Sequence, residues 1–140
     1  MENDTTLDIV LRQVGKAHAN KINQILNRVN LHKGQPIMLG LLYKENGVPQ
    51  STLAREMVIT AATASTMVKR MEKAGFVQRK RDAKDERVSN VYLTDAGRAI
   101  SSQLKDLQKE MEEVVFCGFS EEEKKTMRVY LDRVLKNLSE

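Results

Sequence analysis

The chain has 140 residues and a mass of 15.9 kDa, which suits one domain, or one compact module with helical additions, around a real core. Hydrophobic residues at 41% and charged residues at 30% are ordinary values for an ordered globular protein and exclude a disordered chain. No apolar run nears the roughly 20 residues that span a bilayer, and the acidic start Met1-Glu2-Asn3-Asp4 lacks the basic segment of a secretory signal, so a cytoplasmic protein is expected. A single cysteine, Cys117, cannot form an intrachain disulfide and fits a reducing compartment.

In chain order, Leu7, Val10, Leu11, Val14, Ile22, Ile25, Leu26 and Val29 recur at three- and four-residue intervals and predict a long amphipathic helix from Thr6 to Asn30, with Thr5 or Asp8 as its cap. A second helix is expected from Pro36 to the Asn46-Gly47 stop, with Ile37, Leu39, Leu41, Leu42 and Tyr43 in the core. A short helix follows from Ser51 to Met57. Thr60 then caps a helix that runs to Ala74 and ends at Gly75. On that helix Ala64, Met67, Val68, Met71 and Ala74 share one face, while Ala62, Ser65, Thr66, Lys69 and Lys73 share the other. Residues 76–81 and 88–93 read as two strands around the polar turn Asp82 to Arg87. Thr94 caps a long helix to Val115 with Ala96, Ile100, Leu104, Leu107, Met111 and Val114 as its stripe. Ser120 with Glu123 forms a capping box for a last helix striped by Met127, Tyr130, Leu131, Val134, Leu135 and Leu138.

The net charge of +4 sits in one place. Between Thr60 and Asn90 there are eight Lys or Arg against four acids, and the rest of the chain is balanced. A basic segment in a balanced protein is the electrostatic footprint of phosphate contact. Helix, turn, helix and basic hairpin in that order is the layout of a winged helix-turn-helix, whose second helix enters the major groove. Ala62, Thr63, Ser65 and Thr66 are small enough to let the helix backbone approach base edges, and Lys69 and Arg70 lie a turn later, nearer the flanking phosphates. Arg79 and Lys80 extend the basic surface along the first arm of the hairpin. The fold expected is mainly α with a small β-wing.

The stretch Asp85-Glu86-Arg87-Val88-Ser89-Asn90-Val91-Tyr92-Leu93-Thr94-Asp95-Ala96-Gly97 resembles the wing signature of the MarR family of regulators: D-x-R, a short strand, Leu-Thr, and a glycine shortly after. Residues 63–79 are similar to that family's recognition helix and first wing strand. The resemblance implies that Arg87 at the wing tip probes the minor groove while Asp85 holds it in position. It also implies a homodimer, with residues 1–32 and 98–140 as dimerisation helices around a DNA-binding region at 33–97. The apolar surplus agrees, because the last helix carries its large apolar residues after the winged core is complete. Two reading heads about one DNA turn apart predict a pseudo-palindromic target. What the family implies is a bacterial or archaeal, nucleoid-associated transcriptional regulator, most often a ligand-responsive repressor. Family effectors, often phenolic or other lipophilic anions, bind between the dimer helices and the winged region; His32, Met38 and Tyr43, near the junction of the first two helices, are the candidates here.

Other chemistry finds little support. No Gly-rich phosphate loop, nucleophile elbow, paired-His motif or Ser/His/Asp constellation is present, so no enzyme is expected. His18 and His32 stand apart, so neither a metal site nor a cofactor is expected. Cys117 reads as a half-buried thiol near a helix end, since the family's sensing cysteines lie near the N-terminus. The alternative to DNA binding is a winged-helix module that turns the same basic face toward an acidic partner protein.

Overall fold

The structure is a computed structural model that describes residues 6–140. Its elements run α1 (Leu7–Asn27), α2 (Gln35–Lys44), β1 (Val48–Pro49), α3 (Gln50–Met57), α4 (Ala61–Lys73), β2 (Val77–Arg81), β3 (Ser89–Leu93), α5 (Asp95–Val115) and α6 (Glu121–Leu138). The fold is mainly helical with a small antiparallel sheet, and its helix limits follow local chemistry. Thr6, Thr60, Thr94 and Ser120 each accept a backbone N–H three residues on, and Glu123 returns the bond to Ser120 to complete the capping box. Thr6, not Asp8, caps α1; the alternative cap Thr5 lies outside the described residues.

The sheet has the order β1-β3-β2, with β3 paired antiparallel on both sides. β1 was not anticipated, because two residues show no periodicity; Val48 and Pro49 are recruited opposite Val91 and Asn90. The Asn46 side chain fastens this edge by accepting the Leu93 N–H at 2.8 Å.

One core joins Leu26, Leu31, Met38, Leu39, Leu42, Leu53, Val68, Met71, Val77, Val91, Leu93 and Ile100. On α2 the buried phase is Gln35, Met38, Leu39 and Leu42, one stripe at helical spacing. Ile37 and Tyr43, expected inside, point outward because they lie off that stripe. α1 ends at Asn27 rather than Asn30, and only Ile25 and Leu26 of its stripe are buried. Ile22 and Val29 pack half-buried against the core, Leu7, Val10, Leu11 and Val14 are exposed, and α6 contains no buried residue at all. Among the described residues no helix is long and apolar enough to cross a membrane.

Candidate nucleic-acid interface

α4 is held by its apolar side, where Ala64, Val68 and Met71 are buried. The opposite side leaves Ala62, Thr63, Thr66, Lys69 and Arg70 exposed and Ser65 half-buried. Thr60 prepares the front of this helix, accepting the Thr63 N–H at 3.0 Å and donating its own hydroxyl to Thr63 Oγ1 at 2.9 Å. The Thr66 hydroxyl donates back to the Ala62 carbonyl. The front of α4 therefore presents small side chains, and cations follow a turn later.

The wing is a β2–β3 hairpin whose tip is built by two aspartates. Asp82 accepts the Lys84 and Asp85 N–H groups at 3.0 and 3.1 Å and the Asn90 amide at 3.0 Å. The Asn90 bond, then the two backbone bonds, hold the Asp82 carboxyl below its usual range. Asp85 accepts the Arg87 Nε and Nη2 groups at 3.1 and 3.2 Å, as well as the Arg87 backbone N–H. The Arg87 guanidinium is the main cause of a lowered Asp85 pKa. The Arg87 side chain nonetheless stays 90% exposed, so Asp85 restricts its rotamers without hiding it. The Asp82 role was missed in the sequence; an aspartate opening a polar turn was the available signal.

The remaining expected contacts are placed differently. Lys80 lies over the Tyr92 ring, 5.2 Å from its centroid. Arg79 is engaged by Glu72 of α4, Nε to Oε1 at 2.8 Å, a partner that charge counting alone could not assign. The three candidate effector residues do not converge within the chain. Met38 is fully buried in the core, Tyr43 is exposed, and His32 alone lines a cavity. That cavity, of about 400 Å³, lies between the α1–α2 connection and α4; His32, Lys33, Gln35, Thr63, Thr66, Met67 and Arg70 are among its walls. A neighbouring space of about 390 Å³ shares His32, Lys33 and Arg70 and adds Asn23 and Asn27. Met67, expected in the core, is half-buried and lines the first cavity, and Ala74, expected on the same face, is exposed. Cys117 is exposed in the α5–α6 turn rather than half-buried.

Comparison with known proteins places this arrangement. The MarR family model matches residues 37–89, the span from α2 to the start of β3. The chain is 29% identical over 133 residues to the uncharacterized HTH-type transcriptional regulator YybA of Bacillus subtilis, a match covering 92% of this chain and 88% of that protein. Among solved structures, the PcaV transcriptional regulator of Streptomyces coelicolor shares the fold with a TM-score of 0.86 at 23% identity, over 96% of this chain and 98% of that one. The MepR–DNA complex of Staphylococcus aureus aligns with a TM-score of 0.69 at 27% identity, over 98% of this chain and 99% of that one. These relatives are transcriptional regulators rather than enzymes. With the family model lying on the α4 face and hairpin described above, and with a regulator and a regulator–DNA complex matching nearly end to end, the chain is similar to the MarR family of winged-helix transcriptional regulators.

Proposed function

We propose that this chain binds double-stranded DNA as a homodimer and represses transcription from a pseudo-palindromic operator, acting in the cytoplasm at the nucleoid. One observation carries the reading. The exposed small and cationic face of α4 stands beside a protruding wing whose tip holds Arg87 outward on an Asp85 support. A major groove about 12 Å wide accepts one helix, and the narrow minor groove attracts a guanidinium. In this reading Ala62, Thr63, Ser65 and Thr66 meet base edges, and Lys69, Arg70 and Lys80 meet phosphates. The MepR–DNA complex supports duplex DNA as the ligand of such a surface.

Residues 33–97 form the reading head, and α1, α5 and α6 are the dimerisation arms. The apolar residues left open on α1 and α6 support a second copy of the chain as their cover. For an effector, the cavity beside α4 suits a small lipophilic anion. Its walls carry Lys33 and Arg70, no carboxylate and the Met67 thioether. An anion there releases DNA by stabilising a dimer whose reading heads are wrongly spaced.

Electrophoretic mobility on a duplex from the chain's own upstream region, with excess nonspecific competitor, tests the reading. Arg87→Ala weakens specific binding about tenfold, with dimerisation and melting near normal. Lys69→Ala or Lys80→Ala weakens binding to every sequence and flattens the salt dependence by about one unit. Indifference to duplex DNA even at low salt would overturn the reading and favour an acidic protein as partner.

A further inference from the structure

Glu72 is the one acidic residue of α4, placed on a helix that otherwise offers phosphates only cations. An unpartnered carboxylate there would repel the DNA backbone. Its oxygen instead meets Arg79 Nε at 2.8 Å, and the two side chains are 31% and 32% exposed, against 90% for Arg87 at the wing tip. The bond joins the last turn of α4 to β2, on either side of the tight turn Ala74-Gly75. Part of the charge at Arg79 is therefore met by a carboxylate of the protein itself before any phosphate arrives.

We propose that Glu72 and Arg79 are positioning residues: their ion pair sets the angle between the recognition helix and the wing, so that the front of α4 and Arg87 reach adjacent grooves together. The inference rests on the DNA-binding reading, yet changes the role of Arg79 from contact to brace. The base of the hairpin is tied at the α4–β2 turn by the Thr94 bonds to Gly75 and Phe76, and β3 is held along β1. The bridge from Glu72 to Arg79 is a further tie along β2, which restricts bending of the wing before DNA arrives and lowers the ordering cost of binding.

Four variants separate brace from contact: Glu72→Gln, Arg79→Gln, the double change, and the charge swap Glu72→Arg with Arg79→Glu. The probe is a labelled duplex that the unmodified chain selects from a random library, and affinity is followed against salt. As a brace, each single change weakens binding about tenfold, and the double change costs no more than either one. The swap recovers most of the affinity. The slope of log affinity against log salt stays that of the unmodified chain throughout. Equal melting temperatures and dimerisation show that each variant is folded.

The proposal fails if Glu72→Gln binds as well as or better than the unmodified chain, since the acid would then be only a repelling charge. It also fails if Arg79→Gln lowers the salt slope by about one unit, the mark of a lost phosphate contact. Should the unmodified chain select no duplex at all, the DNA-binding reading falls first and the brace with it, an outcome distinct from either of these.

Discussion

Val58 has φ 55° and ψ 47°, the left-handed region, although it is branched at Cβ. It closes α3, its N–H reaching the Ala54 and Arg55 carbonyls, and its side chain is 89% exposed, so no packing offsets the backbone strain. Asparagine tolerates this conformation without glycine's extra unfolded-state freedom. Val58→Asn is expected to stabilise the fold by about 1 kcal/mol, raising the melting temperature by about 3 °C; an unchanged or lower midpoint in thermal denaturation overturns it. At the wing tip the charges set a pH window. Asp82 and Asp85 both titrate below their ordinary value of 3.8, so the order they confer is complete above that value and is lost as pH falls through the depressed ones. NMR titration of the two carboxyls is expected to give midpoints below 3.8, with the Lys84 and Asp85 amide shifts following Asp82; a midpoint above 3.8 at either carboxyl contradicts it.

Between elements, a close joint lies where α5 leaves the wing. Thr94 donates its hydroxyl to the Gly75 carbonyl at 2.5 Å and accepts the Gly97 N–H at 3.1 Å, while its own N–H reaches the Phe76 carbonyl at 3.0 Å. Gly97 sits against that same Phe76 carbonyl oxygen, and a Cβ there would collide with it. The obstacle is backbone held at both ends, so it does not yield as a flexible side chain would. Gly97→Ala is expected to lose about 2 kcal/mol or more of unfolding free energy, read from urea denaturation. A loss within 0.5 kcal/mol, typical of ordinary surface changes, would show that the joint adjusts freely. This explains the glycine of the wing signature physically: it lets the first turn of α5 rest on the α4–β2 connection.

For the molecule as a whole, the open apolar surface is the dominant fact. On α6, Leu131, Leu135 and Leu138 are 45%, 63% and 73% exposed, and on α1 Leu7 is 85% exposed. Faces of this kind associate, and a two-fold pair is the commonest solution. Leu131→Asp combined with Leu135→Asp is expected to give a monomer by sedimentation, with at least a hundredfold loss of operator affinity because only one reading head is then held to the site. A dimer that survives both changes would move the interface away from α6.

Local chemistry made much of this protein legible in its sequence. Caps at Thr60, Thr94 and Ser120, the stop at Gly75 and the two-sided pattern of α4 act within a few residues, so the starts of α4, α5 and α6, the end of α4 and its exposed side followed from local spacing. The wing tip was legible as a D-x-R motif, and the Asp85–Arg87 geometry agrees with it. Other features depend on which surfaces meet. The phase of α2 put Met38 into the core and Ile37 and Tyr43 outside; β1 exists only because β3 offers it an edge. The Glu72–Arg79 bridge and the cavity beside α4 arise from elements that fold back on one another. Periodicity and capping report a residue's neighbours along the chain. Burial, ion pairing and empty space report its neighbours across it, and those are decided only once the helices and the wing have packed.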